Sequence, residues 1–264
     1  MFFFKYCISN VVINLNKKDI GKFVGKMKNF ISADEMKKFK TLNEHKKYYE
    51  NAFNNIGKWE EYIKISRLRK SLTRYFFEEF ATIMIYVDAK YKDSEKILWR
   101  WCGDEQSEPN LMNDGIIMKD KKGVEKIEIV CPFHSQEDII AGMSLNEIGT
   151  YCYDLAYVDD YEELCRNRVL EEVIKKNSKK TYDGSITLVV MFDEYKFLPS
   201  SKLMDKNFID SLFSKLKNID YIFKNVYILM DRYDGSGLKY EPYLIQIKWL
   251  IIFHMARVVL AKTW

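Results

Sequence analysis

Proline and glycine are scarce in this chain. With 4 Pro and 11 Gly among 264 residues, collagen-like, linker-like and low-complexity organisation are excluded. Cysteine is sparse and unpaired in spacing: the five, at positions 7, 102, 131, 152 and 165, fit neither a disulfide framework nor a zinc knuckle. Reduced thiols in a cytoplasmic protein are therefore expected. No apolar run approaches the roughly 20 residues of a membrane span. The longest, Trp249 to Leu260, is broken by His254 and Arg257. The opening MFFFKYCISNVVINLNKK carries Lys5 inside its apolar stretch and no small-residue cleavage site, which argues against a secretory signal. An excess of one charge is also lacking, since 42 Lys+Arg against 38 Asp+Glu leaves only +4. Composition alone names no polyanion partner, though local patches can still act. The three His, at 45, 134 and 254, have no ligand spacing, and Asp234-Gly-Ser-Gly237 reads as a turn rather than a phosphate loop.

What the chain does have is aromatic mass, 18 Tyr and 17 Phe within a hydrophobic share of 47%. That is the composition of a packed globule in which large rings dominate the core. Ser32-Ala33-Asp34-Glu35 resembles a helix start, and a helical stretch is expected from there to about Asn54. A long helix is expected from Trp59 to about Ala89. On it Phe76, Phe80, Ile83 and Val87 form one apolar stripe, which Phe77, Met84 and Ile85 widen.

From residue 115 the period changes. Gly115 to Lys119 and Val124 to Cys131 are strand-like runs around Asp120-Lys-Lys-Gly123, a hairpin signal. Arg166 to Lys180 reads as a helix, with Leu170, Val173 and Ile174 turned inward and its lysines toward water. Ile186 to Phe192 reads as a fully buried strand, Phe208 to Leu216 as a helix and Val226 to Met230 as a second buried strand. The order predicts an α/β fold with a mixed central sheet and helices on both faces. Three segments are expected: a helical extension over 1–58, an α/β core over 59–248 and an apolar tail over 249–264.

The hairpin carries the candidate chemistry. If its loop is Lys121-Lys122-Gly123, with the glycine left-handed, then Ile116 faces Glu128 and Asp114 faces Val130. Asp114 and Glu128 then share a face as diagonal neighbours, about 7–8 Å apart at the backbone. Two carboxylates so placed suit a hard cation such as Mg²⁺. An even-numbered loop would put them on opposite faces.

An acid opening one strand (Asn113-Asp114) and an acid within the next (Glu128-Ile129-Val130), followed by RVLEEVIKKNSKKTYDGSITLVVMF as helix and strand, resemble the PD-(D/E)XK nuclease superfamily. The resemblance covers about 59–232. It implies a restriction-endonuclease-like core in which Asp114 and Glu128 bind Mg²⁺ (or Mn²⁺), a water attacks the phosphodiester and a lysine assists. The usual strand lysine is Val130 here. The resemblance then implies a basic residue from the next helix, Lys176 or Lys179, the other reading of both being a solvated face. It also implies an acid from the preceding helix, Glu79 first and Glu78 second.

Arg67, Arg69, Lys70 and Arg74 can be read as phosphate contacts along the long helix or as its solvated face. Lys37, Lys38, Lys40, Lys46 and Lys47, interleaved with Phe39, Tyr48 and Tyr49, allow the same two readings. The function expected from the resemblance is a divalent-metal-dependent nuclease acting on DNA or RNA in restriction, repair or defence. The alternative is a catalytically inactive protein of that fold that binds nucleic acid or a protein partner. Neither membrane association nor an oligomeric state is indicated.

Overall fold

The computed structural model describes residues 31–56, 72, 75–91, 96–103, 113–132, 161–179, 181–182, 184–193, 206–233 and 240–247. The chain divides into two compact units. One holds the described elements up to Val124; the other holds Glu125–Pro132 and the described elements from Tyr161 onward. Strand order follows chain order from β1 to β7, an open mixed sheet flanked by helices. No described helix is long and apolar enough to cross a membrane.

In the first unit, helix α1 (Ala33–Met36) starts where the sequence indicates, with the Ser32 Oγ accepting the Glu35 N–H at 3.3 Å. The expected continuous helix to about Asn54 does not form. A two-residue strand, β1 (Lys40–Thr41), interrupts it, and α2 (Leu42–Ile56) begins afresh. Thr41 and Glu44 supply the reason: Glu44 Oε2 accepts the Thr41 N–H at 2.8 Å while Thr41 Oγ1 accepts the Glu44 N–H at 3.3 Å. That reciprocal capping box satisfies donors that a new helix start leaves open.

A π-helical turn (Tyr75–Phe80) leads into α3 (Ala81–Tyr91). The expected stripe is realised, with Phe76, Phe80 and Ile83 at 0% exposure and Val87 at 1%. Its rings meet α2 through Phe76 stacked on Tyr49 at 4.8 Å, and the sheet through Phe80 against Trp99 at 5.0 Å. Strand β2 (Ile97–Trp101) pairs antiparallel with β1 and with β3 (Gly115–Lys119), setting Trp99 opposite Ile117 and Trp101 opposite Gly115. A Cβ on Gly115 would lie 2.7 Å from Ile83 Cδ1, so glycine lets α3 approach the sheet closely. His45 fills the same aromatic layer, its Nε2–H donating to the Trp99 carbonyl at 2.9 Å.

The turn after β3 corrects the expected loop. Asp120 (φ 50°) and Lys121 (φ 64°) are left-handed, and Lys122 already begins β4 (Lys122–Val130). Two residues with positive φ make the primed turn whose twist matches a hairpin. Gly123 lies within the strand.

In the second unit, β4 is followed by α4 (Tyr161–Asn177), β5 (Ile186–Asp193), α5 (Lys206–Lys217), β6 (Asn225–Tyr233) and β7 (Tyr240–Gln246). Strands β4, β5 and β6 are parallel, with Glu128 beside Leu188 and Leu188 beside Val226; β7 runs antiparallel to β6. Two successive right-handed crossovers place α4 and α5 on one face. The contacts agree: α4 reaches Glu128, and Phe208 of α5 meets Phe192 at 6.1 Å. Among the described residues of this unit, helices thus cover one face, where the sequence order predicts both. Ile127, Val189 and Leu229 on the other face are nevertheless buried. Near-continuous burial along β5, from Ile186 to Phe192, is what a parallel strand requires. One inward position is corrected: Val169 and Val173 face the core, whereas Ile174 is 53% exposed. Glu163 ties the two helices, accepting from Lys215 at 2.9 Å and from Arg166 within its own turn.

A candidate metal-binding carboxylate on β4

Strand β4 turns Glu125, Ile127 and Ile129 to one face and Glu128 and Val130 to the other. Glu128 is only 4% exposed. A buried carboxylate is costly unless it is paired and hydrogen-bonded, and both conditions are met. Lys176, in the last turn of α4, forms an ion pair with Glu128 Oε1. The Tyr182 hydroxyl donates to the same oxygen at 2.5 Å. Tyr182 is in turn packed against Phe223, ring centroids 5.2 Å apart, with Lys179 Nζ 5.8 Å from the Tyr182 ring centroid. The helix ends at Asn177, whose side chain donates to the Asp220 carbonyl and accepts the Ile222 N–H, so the turn bearing Lys176 is fixed against the segment before β6. Glu128 Oε2 has no hydrogen-bond partner among the described residues.

The other candidates separate. Asp114 lies in the first unit and Glu128 in the second. With an even loop, the two take positions of opposite parity in the hairpin, and the shared face expected from a three-residue loop is lost. Asp114 contributes its backbone carbonyl to Cys102 N–H at 2.9 Å. Asn113 is a brace: its Nδ2 donates to the Gly115 carbonyl at 2.9 Å and to Cys102 Sγ at 3.3 Å. Glu79 accepts the Trp101 indole N–H at 2.7 Å, while Glu78 is buried in the π-helical turn. Of Lys176 and Lys179, the two substitutes for the strand lysine, Lys176 is the one that reaches Glu128. Val130 itself is core, 3% exposed.

The basic–aromatic segment near residue 40 is largely taken up by its own unit. Lys38 and Lys40 pair with Glu35, Lys46 with Asp88 at 2.9 Å, and Lys37 lies 5.9 Å from the Trp101 ring centroid. Lys38 first and Lys40 second hold the Glu35 carboxyl down at about 2. Arg67, Arg69, Lys70 and Arg74 lie outside the described residues.

Two functional-looking groups carry no sequence signal. Tyr182 sits 54 residues from Glu128 in the chain, and only the return from α4 to β5 brings it there. On the opposite face, Thr187 donates to Glu125 Oε1 at 2.6 Å, Asn225 to Thr187 Oγ1 at 3.3 Å and Gln246 to Asn225 Oδ1 at 3.4 Å, a polar row crossing four strands.

No family model, curated protein or solved structure matches the chain.

Chemically, then, the second unit offers one buried, oriented carboxylate with an ammonium on one oxygen. Among the described residues no group of three or more His, Cys, Asp or Glu could hold a metal ion. Mg²⁺ is commonly held through one or two carboxylates with waters and substrate phosphates completing its shell. Glu128, through Oε2, fits that role as a single protein anchor.

Proposed function

We propose that this chain is a divalent-metal-dependent nuclease, a divergent relative of the PD-(D/E)XK proteins, hydrolysing phosphodiester bonds of DNA or RNA at a site centred on Glu128 and Lys176. One observation carries the proposal: a lysine of the helix following β4 reaches the β4 carboxylate, restoring beside Glu128 the positive charge that Val130 withholds. The element order supports it, an antiparallel strand pair preceding β4, then a helix and a parallel strand. When bound, Mg²⁺ or Mn²⁺ supplies neutralisation of phosphate oxygens and acidifies a bound water. Glu128 holds the ion through Oε2, Lys176 faces the charge that develops on the phosphate, and Tyr182 keeps the carboxylate oriented. Neither Asp114 nor Glu79 has a part in this site.

The second reading is a protein of the same fold that binds nucleic acid or a protein partner without cutting. The even β3–β4 turn favours it, because it removes the geometric case for a second carboxylate ligand beside Glu128.

Purified chain incubated with supercoiled plasmid, linear duplex, single-stranded DNA and RNA, with Mg²⁺, Mn²⁺ or chelator, separates the two. Metal-dependent cleavage that is lost in Glu128→Gln and retained in Asp114→Ala is the expected result. Absence of cleavage on every substrate leaves the second reading; cleavage that survives Glu128→Gln removes the site from both.

A further inference from the structure

We infer that Lys176 is the resident cation of the Glu128 site, one that a divalent ion must displace. The inference rests on the reading of Glu128 as a metal anchor and adds to it how occupancy is controlled. Glu128 is 4% exposed, so its charge needs a cation close by at all times. In this structure Lys176 supplies it, sharing Oε1 with the Tyr182 hydroxyl. A divalent ion arriving at Oε2 would stand next to that ammonium, and two cations on one carboxylate repel in a setting of low dielectric. Lys176 is the group able to leave. Its side chain is 23% exposed, and it rides a flexible four-carbon stem. Tyr182, neutral and packed on Phe223, has no such reason to move and keeps Oε1 satisfied. The lysine displaced from Glu128 can then meet a phosphate. One side chain thus closes the site when no divalent ion is present and serves the substrate when one is.

Mn²⁺ is the probe, titrated into the full chain and followed by the electron paramagnetic resonance of the unbound ion. Lys176→Met removes the competing charge and keeps the stem, and it is expected to bind Mn²⁺ about tenfold tighter than the unmodified chain. Adding Glu128→Gln to Lys176→Met should abolish the gain. Equal or weaker Mn²⁺ binding by Lys176→Met overturns the inference, as does a gain that survives Glu128→Gln. Should Lys176→Met fail to fold by circular dichroism, the unmodified chain decides: Mn²⁺ should speed acetylation of Lys176, read by mass spectrometry, and an unchanged rate overturns the inference. Cleavage is a separate readout. A tightened Mn²⁺ site in a chain that cuts nothing leaves this inference standing and removes the nuclease reading. Cleavage with no change in Mn²⁺ affinity does the reverse.

Discussion

His45 is fully buried between Phe80 and Trp99, and one of its ring nitrogens donates to the Trp99 carbonyl. Burial pushes the imidazole from 6.5 down to about 4, an effect that the bond to Trp99 opposes and Lys40 reinforces. The unfolded chain therefore takes up a proton that the folded chain refuses. The corresponding stability is complete above pH 6.5 and drains away as the pH falls toward 4. Each tenfold drop in proton affinity is worth about 1.4 kcal/mol, so the full loss is about 3 kcal/mol. Urea unfolding at pH 7 and pH 4.5 checks this: the unmodified chain should lose about 2–3 kcal/mol more than His45→Phe over that interval. Equal losses would contradict the assignment. Glu35, held at about 2 by Lys38 and Lys40, gives up its contribution only as the pH falls from 4.5 toward 2, outside that interval. At this scale the sequence is informative where a residue's neighbours are local. The burial of Phe76, Phe80, Ile83 and Val87 follows from spacing alone. The Tyr182–Glu128 bond does not, since nothing in the residues around 182 encodes a partner on β4.

The β3–β4 hairpin shows how a secondary element can be legible while its register is not. Both strands are evident from their strand-like runs and the Asp-Lys-Lys-Gly stretch between them. Assigning the left-handed position to Gly123 follows the glycine preference, but the turn instead uses Asp120 and Lys121, whose side chains bear some strain there. Lys121→Gly should accordingly stabilise the chain by about 1 kcal/mol in chemical denaturation. Gly123→Ala is the sharper test. Within a strand, with nothing within 4 Å of the added Cβ, it should be neutral or stabilising by about 0.5–1 kcal/mol. A loss of about 1–2 kcal/mol would instead mark a left-handed glycine and restore the odd loop. Gly115→Ala has the opposite expectation: its Cβ meets Ile83 at 2.7 Å, and a cost of about 1–3 kcal/mol should be relieved in part by Ile83→Val. Strand β2 gives little notice of itself, because ILWRW is five residues long and its alternation of Ile97, Trp99 and Trp101 stands out only once their burial is known.

For the molecule as a whole, the α/β class and the run from α4 to β6 are readable because each element is long enough to show its own period. The boundary between compact units is not. It falls at Val124 and Glu125, inside β4, where no proline, glycine-rich linker or change of composition marks it. The expected single core over 59–248 contains that boundary. The candidate site is readable in part: the order of acid, helix and strand points to Glu128 and Lys176, and they meet within the second unit. Asp114 joins them only on a register that the turn does not adopt.

The pairing of Glu128 with Lys176 is the centre of the account, and single-turnover cleavage of plasmid DNA at saturating Mn²⁺ tests it most directly. Lys176→Ala should cut at least about 10²-fold more slowly than the unmodified chain, the loss typical when a donor to developing transition-state charge is removed. Cleavage by Lys176→Ala at the unmodified rate would contradict it.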